Sequence, residues 1–151
     1  MRTLIIYHSE HHGNTEKIAK AIGSATNAEL VKSENLNPDD VEIILSEYDI
    51  IGFGSGIYNG KHHKSIFKLI SVQPGNLDKK VFIFSTSGVD ALSRGYHNSL
   101  KKELEAKGFK IIGEFNCLGF DTAITSSGIN HGKPDEKDLE DARRFVKNLM
   151  D

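Results

Sequence analysis

Three short segments hold the residues best suited to chemistry: Ser9-Glu10-His11-His12-Gly13-Asn14-Thr15, Ser55-Gly56-Ile57-Tyr58-Asn59-Gly60 and Ser85-Thr86-Ser87-Gly88. Small hydroxyls and amides donate hydrogen bonds without adding charge, and glycine lets backbone N–H groups come close to a ligand. Such a donor set suits a phosphate joined to a polar heterocycle. The first segment runs directly into a helical pattern. The first N–H groups of a helix have no internal partner and the helix dipole is positive there, so a phosphate is expected at Ser9 to Thr15. No Lys or Arg lies in that segment. A P-loop needs a lysine and a longer glycine loop, so nucleoside triphosphate hydrolysis is not expected.

These segments must be positioned by the elements before and after them. Apolar runs alternate with amphipathic stretches, the pattern of repeated βα units around a parallel sheet. The first run is Thr3 to Tyr7, followed by a helix over Glu16 to Gly23 with Ile18, Ala19 and Ile22 on one face and Gly23 as its C-cap. Ala28 to Lys32 reads as a second strand, Asn37-Pro38-Asp39-Asp40 as a helix start, and Asp49 to Gly56 as a buried central strand ending in a glycine turn. A helix is expected over His63 to Val72, a strand over Lys80 to Phe84, a helix over Tyr96 to Lys107 and a strand over Lys110 to Cys117. Leu118 to Pro134 has no clear period, and a terminal helix follows over Asp135 to Met150. Five strands with crossover helices predict an α/β doubly wound three-layer sandwich with a parallel sheet of order 2-1-3-4-5. In such a sheet ligands bind beyond the carboxyl ends of the strands where the winding reverses. All three polar segments lie at those ends.

Composition bounds the remaining possibilities. A chain of 151 residues is expected to form a single domain over residues 1–151, burying roughly 70% of its unfolded surface. With a net charge of −2 and the charges interspersed, nothing favours nucleic acid or an anionic membrane. No apolar run is long enough to cross a bilayer and no leader pattern is present, so a cytoplasmic protein is expected, as a monomer or weak dimer. The single cysteine, Cys117, leaves no internal disulfide or CxxC centre, and redox chemistry would need a bound cofactor. No Arg follows Cys117 at the spacing of a Cys-based phosphatase, and a small buried thiol is expected there. Receiver domains need acidic residues where this chain has His8-Ser9 and Gly54-Ser55. Ser87, His97 and Asp121 could be drawn as a hydrolytic triad, but without a Gly-x-Ser-x-Gly elbow and in the wrong chain order. His11-His12 and His62-His63 lack the i, i+4 spacing of a helical metal site, so no metal is expected.

Tyr7 followed by Ser9-Glu10-His11-His12-Gly13-Asn14-Thr15-Glu16-Lys17-Ile18-Ala19 resembles the phosphate loop of flavodoxin-like proteins, whose hydroxyl-rich turn ends in Gly-Asn-Thr. The resemblance continues through Gly54-Ser55-Gly56-Ile57-Tyr58 and Phe84-Ser85-Thr86-Ser87-Gly88. It implies an FMN whose phosphate is held by Ser9 to Thr15, with the isoalloxazine ring between Ser55 to Gly60 and Ser85 to Gly88 and Tyr58 stacking on it. It further implies an electron-transfer protein working with a redox partner protein. The alternative is an enzyme taking electrons from NAD(P)H to a quinone, or a relative of the flavodoxin-type protoporphyrinogen oxidases.

The chain departs from the family pattern in two places. His11-His12 stands where many flavodoxins have hydroxyl residues. Either an imidazole faces the phosphate, in which case the dianion raises its pKa and FMN binding weakens with rising pH, or both rings face solvent and the backbone binds. The near-balanced charge also differs from the very acidic low-potential carriers, and Lys61-His62-His63-Lys64 follows the proposed lid. That cluster either raises the flavin potential and meets an anionic substrate or nicotinamide phosphates, or is a solvated first helical turn. Tyr96 and His97 lie near the ring end, and Phe115 to Thr122 shares the edge of the strand ends.

Overall fold

The computed structural model describes residues 1–10, 12–123 and 125–151. Its elements in chain order are β1 (Thr3–Tyr7), α1 (Asn14–Thr26), β2 (Glu29–Lys32), α2 (Val41–Ser46), β3 (Ile50–Tyr58), β4 (Lys61–His62), α3 (Lys64–Ser71), β5 (Lys80–Ser87), α4 (Asn98–Ala106), β6 (Lys110–Leu118) and α5 (Glu136–Met150). The sheet order is β2-β1-β3-β5-β6, all parallel, with β4 paired antiparallel to the end of β3. With β4 set aside, this is the expected 2-1-3-4-5 order and the flavodoxin-like three-layer arrangement.

Continuous apolar strands follow from burial on both faces. Leu4, Ile6, Ile51, Phe53, Val81 and Ile83 face one core with Ile66, Leu69 and Ile70 of α3 and Leu100 and Leu104 of α4. Ile5, Tyr7, Phe82 and Phe84 face the other, with Ile18, Ala19 and Ile22 of α1 and Ala142 and Val146 of α5. On this second face Gly52 and Gly54 make room for the neighbouring strand's rings. A Cβ at either would stand 2.4 Å from Phe82 or 2.2 Å from Phe84.

Element ends differ from the sequence expectations for identifiable reasons. Helix α1 runs past Gly23 to Thr26 and is closed by Asn27 at φ 58°, while Gly23 leaves space for Leu30. Strand β3 does not stop at Gly56 but continues to Tyr58 and turns back through Asn59 and Gly60, at φ 51° and 78°. Two successive left-handed residues match the right-handed twist of a hairpin, and Asn-Gly supplies them at low cost. His63 is not the first turn of a helix but the cap of α3, its Nδ1 accepting Ser65 N–H at 3.1 Å. The segment expected to open a helix at Tyr96 is turn until Asn98. No helix among the described residues is long and apolar enough to cross a membrane.

Candidate functional site

The C-terminal ends of β1, β3, β5 and β6 enclose a cleft of about 290 Å³. Its walls are Glu10, His12, Asn14 and Thr15 from the first segment; Gly56, Ile57 and Tyr58 from the second; Thr86, Ser87 and Gly88 from the third; and Gly119 to Ala123 after β6. The site thus lies at the winding reversal, as expected for this topology.

At the α1 end the donors are mostly backbone. Gly13 precedes the helix at φ 70° with no side-chain cap, and Ser9 Oγ accepts Glu16 N–H at 3.2 Å. Asn14 and Thr15, at the first helical positions, hold the N–H groups that α1 cannot satisfy internally. The Thr15 and Thr86 hydroxyls meet at 2.8 Å and tie this end to β5. Asn14 Nδ2 donates to Phe120 O at 2.9 Å, while its Oδ1 is buried with no hydrogen-bond partner among the described residues. His12 is exposed, with its ring edge-on to Phe120 at 4.5 Å. His11 lies outside the described residues.

Tyr58 lies beside Gly56, where an added Cβ would stand 3.4 Å from its ring. Its phenol donates to the Glu10 carboxylate, and burial followed by that carboxylate pushes the phenol pKa above its ordinary value. The same bond holds the Glu10 carboxyl below the usual carboxylate range. The aromatic ring therefore bridges the first and second segments across one side of the cleft. Asn59 and Gly60 form the exposed hairpin tip beyond it, outside the lining.

Two expected binding residues serve a different purpose. Ser55 is fully buried, with its Oγ accepting His63 N–H at 2.9 Å and donating to Gly56 O at 2.6 Å. Ser85 is fully buried against His97 Nε2 at 2.6 Å. Side chains alternate along a strand, so Ser85 and Thr86 face opposite sides of the sheet, and only Thr86 reaches the cleft wall with Thr15. Asn116 Nδ2 can only donate, and it reaches Ser85 Oγ at 2.8 Å and Ser87 Oγ at 3.0 Å. Ser85 therefore gives its proton to His97 Nε2, and His97 Nδ1–H faces Glu114 Oε1 at 3.1 Å. This Ser-His-Glu series has the polarity of a hydrolytic triad, but its serine is sealed in the core. Ser87, by contrast, donates to Val89 O, so the drawn partnership of Ser87 with His97 does not form. Burial lowers the His97 pKa, with Glu114 opposing.

The wall after β6 comes from the stretch with no clear period. It is latched from both sides: Asn14 holds Phe120 O, Gly119 N–H donates to Ser87 O at 3.0 Å, and Asn130 Nδ2 reaches Gly88 O at 2.8 Å. The missing Cβ of Gly119 makes room for Asn14 and that of Gly88 for Asp121. His62, expected beside the lid, is buried with Nε2 3.0 Å from Phe84 O, and Cys117 is buried with its thiol pushed up to about 12 by burial.

Known proteins share this architecture. A family model described as a flavodoxin domain matches residues 4–119. An uncharacterized protein of Methanocaldococcus jannaschii is 45% identical over 153 residues, covering 99% of both chains. A flavodoxin from the domain Archaea aligns over 99% of this chain and 96% of its own, with a TM-score of 0.70 at 18% identity. Oxidised Flavodoxin 1 from Bacillus cereus aligns over 99% of this chain and 97% of its own, with a TM-score of 0.71 at 16% identity. The structural likeness speaks for the fold, while the family model carries the assignment: this chain belongs to the flavodoxin domain family.

Proposed function

We propose that this protein binds FMN in the cleft and acts as a single-domain, cytoplasmic electron carrier that exchanges electrons with a redox partner protein. The observation that carries the reading is the cleft itself, where the open start of α1 meets the ends of β3 and β5 at the winding reversal. The donor set fits the cofactor. A phosphate at the start of α1 would find the N–H groups of Asn14 and Thr15 and the Thr15 hydroxyl, whereas the buried Asn14 Oδ1 can only accept and suits a hydroxyl of the cofactor rather than its phosphate. Gly56, Ile57 and Tyr58 on one side and Thr86, Ser87 and Gly88 on the other would flank the ring. FMN, when bound, supplies one- and two-electron chemistry that no side chain here can perform. The chain's own residues bind, orient and shield it, and the Glu10 carboxylate at the cleft adds negative charge near the cofactor.

The test is the visible spectrum of purified protein before and after addition of FMN. Bound-flavin absorption is expected, with FMN binding at least tenfold more tightly than riboflavin, which lacks the phosphate. A flat spectrum after reconstitution and dialysis overturns the reading. Mixing the flavin-loaded protein with NAD(P)H then separates the two functional classes: no direct reduction is expected of a carrier, whereas reduction followed by turnover of a quinone makes the protein a reductase.

A further inference from the structure

Beside the cleft, the end of β1 and the start of α3 bring together three side chains that can each ligate a metal. His8, Glu10 and His63 offer ligand atoms lying within 4.8 Å of one another. His8 is 8% exposed, and its Nδ1 stands 3.2 Å from Glu34 Oε2. A carboxylate can only accept, so Nδ1 carries a proton toward Glu34 and Nε2 is the ring atom turned toward the cleft side. That Nε2 is buried, with no hydrogen-bond partner among the described residues. Glu10 Oε1 lies 3.2 Å from it. Two such atoms come this close when positive charge, a proton or a metal ion, lies between them. Zinc bonds to nitrogen and oxygen of about 2.1 Å, opened to a tetrahedral angle, separate the two donor atoms by roughly 3.3 Å.

We propose that His8, Glu10 and His63 form a site for one divalent ion of the zinc class, bound through two imidazoles and a carboxylate, with a fourth position for water or an anionic oxygen. The surroundings are built for it. Glu34 holds His8 from behind, as a carboxylate does for a metal-ligating histidine. Glu34 in turn accepts from Ser33 Oγ at 3.2 Å, and Ser33 meets Ser65 at 2.6 Å. Ser65 Oγ lies 2.9 Å from His63 Nδ1, so one hydroxyl chain runs from the Glu34 support of His8 to His63. The rings stack at 3.6 Å with their planes 6° apart. Imidazole lone pairs lie in the ring plane, so His63 must turn out of the stack about its soft terminal torsion to share the ion, releasing its cap on Ser65 N–H. The ion would add positive charge beside a first segment that has no Lys or Arg.

The experiment uses flavin-free full-length protein stripped with a chelator and titrated with zinc chloride against a colorimetric chelator. One zinc per chain is expected. Glu10→Gln, on an exposed loop, and His63→Gln are each expected to weaken binding at least tenfold, and Glu34→Gln to weaken it by a smaller factor. His131→Gln, away from the site, is expected to bind as the unsubstituted protein does. Absence of competition by the unsubstituted protein, or equal affinity in Glu10→Gln, overturns the proposal. Because no flavin is present, a negative result here leaves the FMN reading standing, and failure of FMN to bind leaves this one standing.

Discussion

The two ends of the cleft use the same residue types in opposite ways. At the α1 end, hydroxyls and backbone N–H groups face the cleft with little side-chain support behind them: Gly13 caps the helix without a side chain and Asn14 Oδ1 is unsatisfied among the described residues. At the β5 and β6 end, Ser85, Ser87, His97, Glu114 and Asn116 satisfy one another in a network around the buried Ser85 and His97, and Asn116 Oδ1 also accepts Ala91 N–H at 3.1 Å. The first end keeps donors for a ligand, whereas the second spends them on holding a loop in place. A serine or asparagine near a strand end is therefore not by itself a ligand contact; its strand parity decides which role it takes.

The sharpest way to break this contrast is at Asn116. Replacement by Leu strands the Ala91 N–H and takes a donor from two serine hydroxyls that keep their other partners, and a loss of about 3 kcal/mol is expected in a urea titration, since an unsatisfied buried group costs roughly 1–3 kcal/mol and a lost hydrogen bond roughly 1 kcal/mol. A loss below about 1 kcal/mol would mean the network is not the frame. Acid probes the same end. Burial, with His97 nearby, lowers the His62 pKa to about 3, so the folded state prefers the neutral ring. Stability is then full above the unfolded value near 6.5 and falls as the pH drops through it, by about 2 kcal/mol from His62 alone between pH 7 and pH 5. His97, also lowered by burial, adds in the same direction. Denaturation midpoints across that range check the sign, and a His62→Gln chain is expected to lose much of the slope. At the other end, Thr15→Val removes the hydroxyl bonded to Thr86, at the place proposed for the phosphate. FMN affinity is expected to fall about tenfold, with riboflavin affinity nearly unchanged and a stability cost of about 1 kcal/mol. Equal losses for both flavins would place Thr15 in the frame rather than among the ligand donors.

Much of this architecture was legible in the chain. Alternating apolar and amphipathic stretches imposed the doubly wound order, and the three polar segments fell at the winding reversal because strand ends must lie there. The returning arm at Lys61–His62 was missed because a two-residue strand has no measurable period, although Asn59-Gly60 carries its turn signal. Ser55 and Ser85 were read as ligand contacts because a segment's composition does not reveal which of its side chains turn inward. The wall at Gly119 to Ala123 has neither period nor motif and is shaped by distant partners, Asn14 and Asn130. The meeting of His8, Glu10 and His63 is likewise invisible in spacing, since it depends on the lateral pairing of β1 with β3 and on the hairpin that brings His63 back.

The packing of α5 on α1 has a consequence for the order in which the molecule becomes competent. The donors of Gly13 to Thr15 precede Ile18, Ala19 and Ile22 of α1, which rest on Ala142 and Val146 more than a hundred residues later in the chain. A chain in which α5 has not docked would hold α1 against the sheet alone, with the face toward α5 wet. The α1 wall of the cleft is therefore complete only once α5 has docked, and capture of a cofactor there is expected to follow that step.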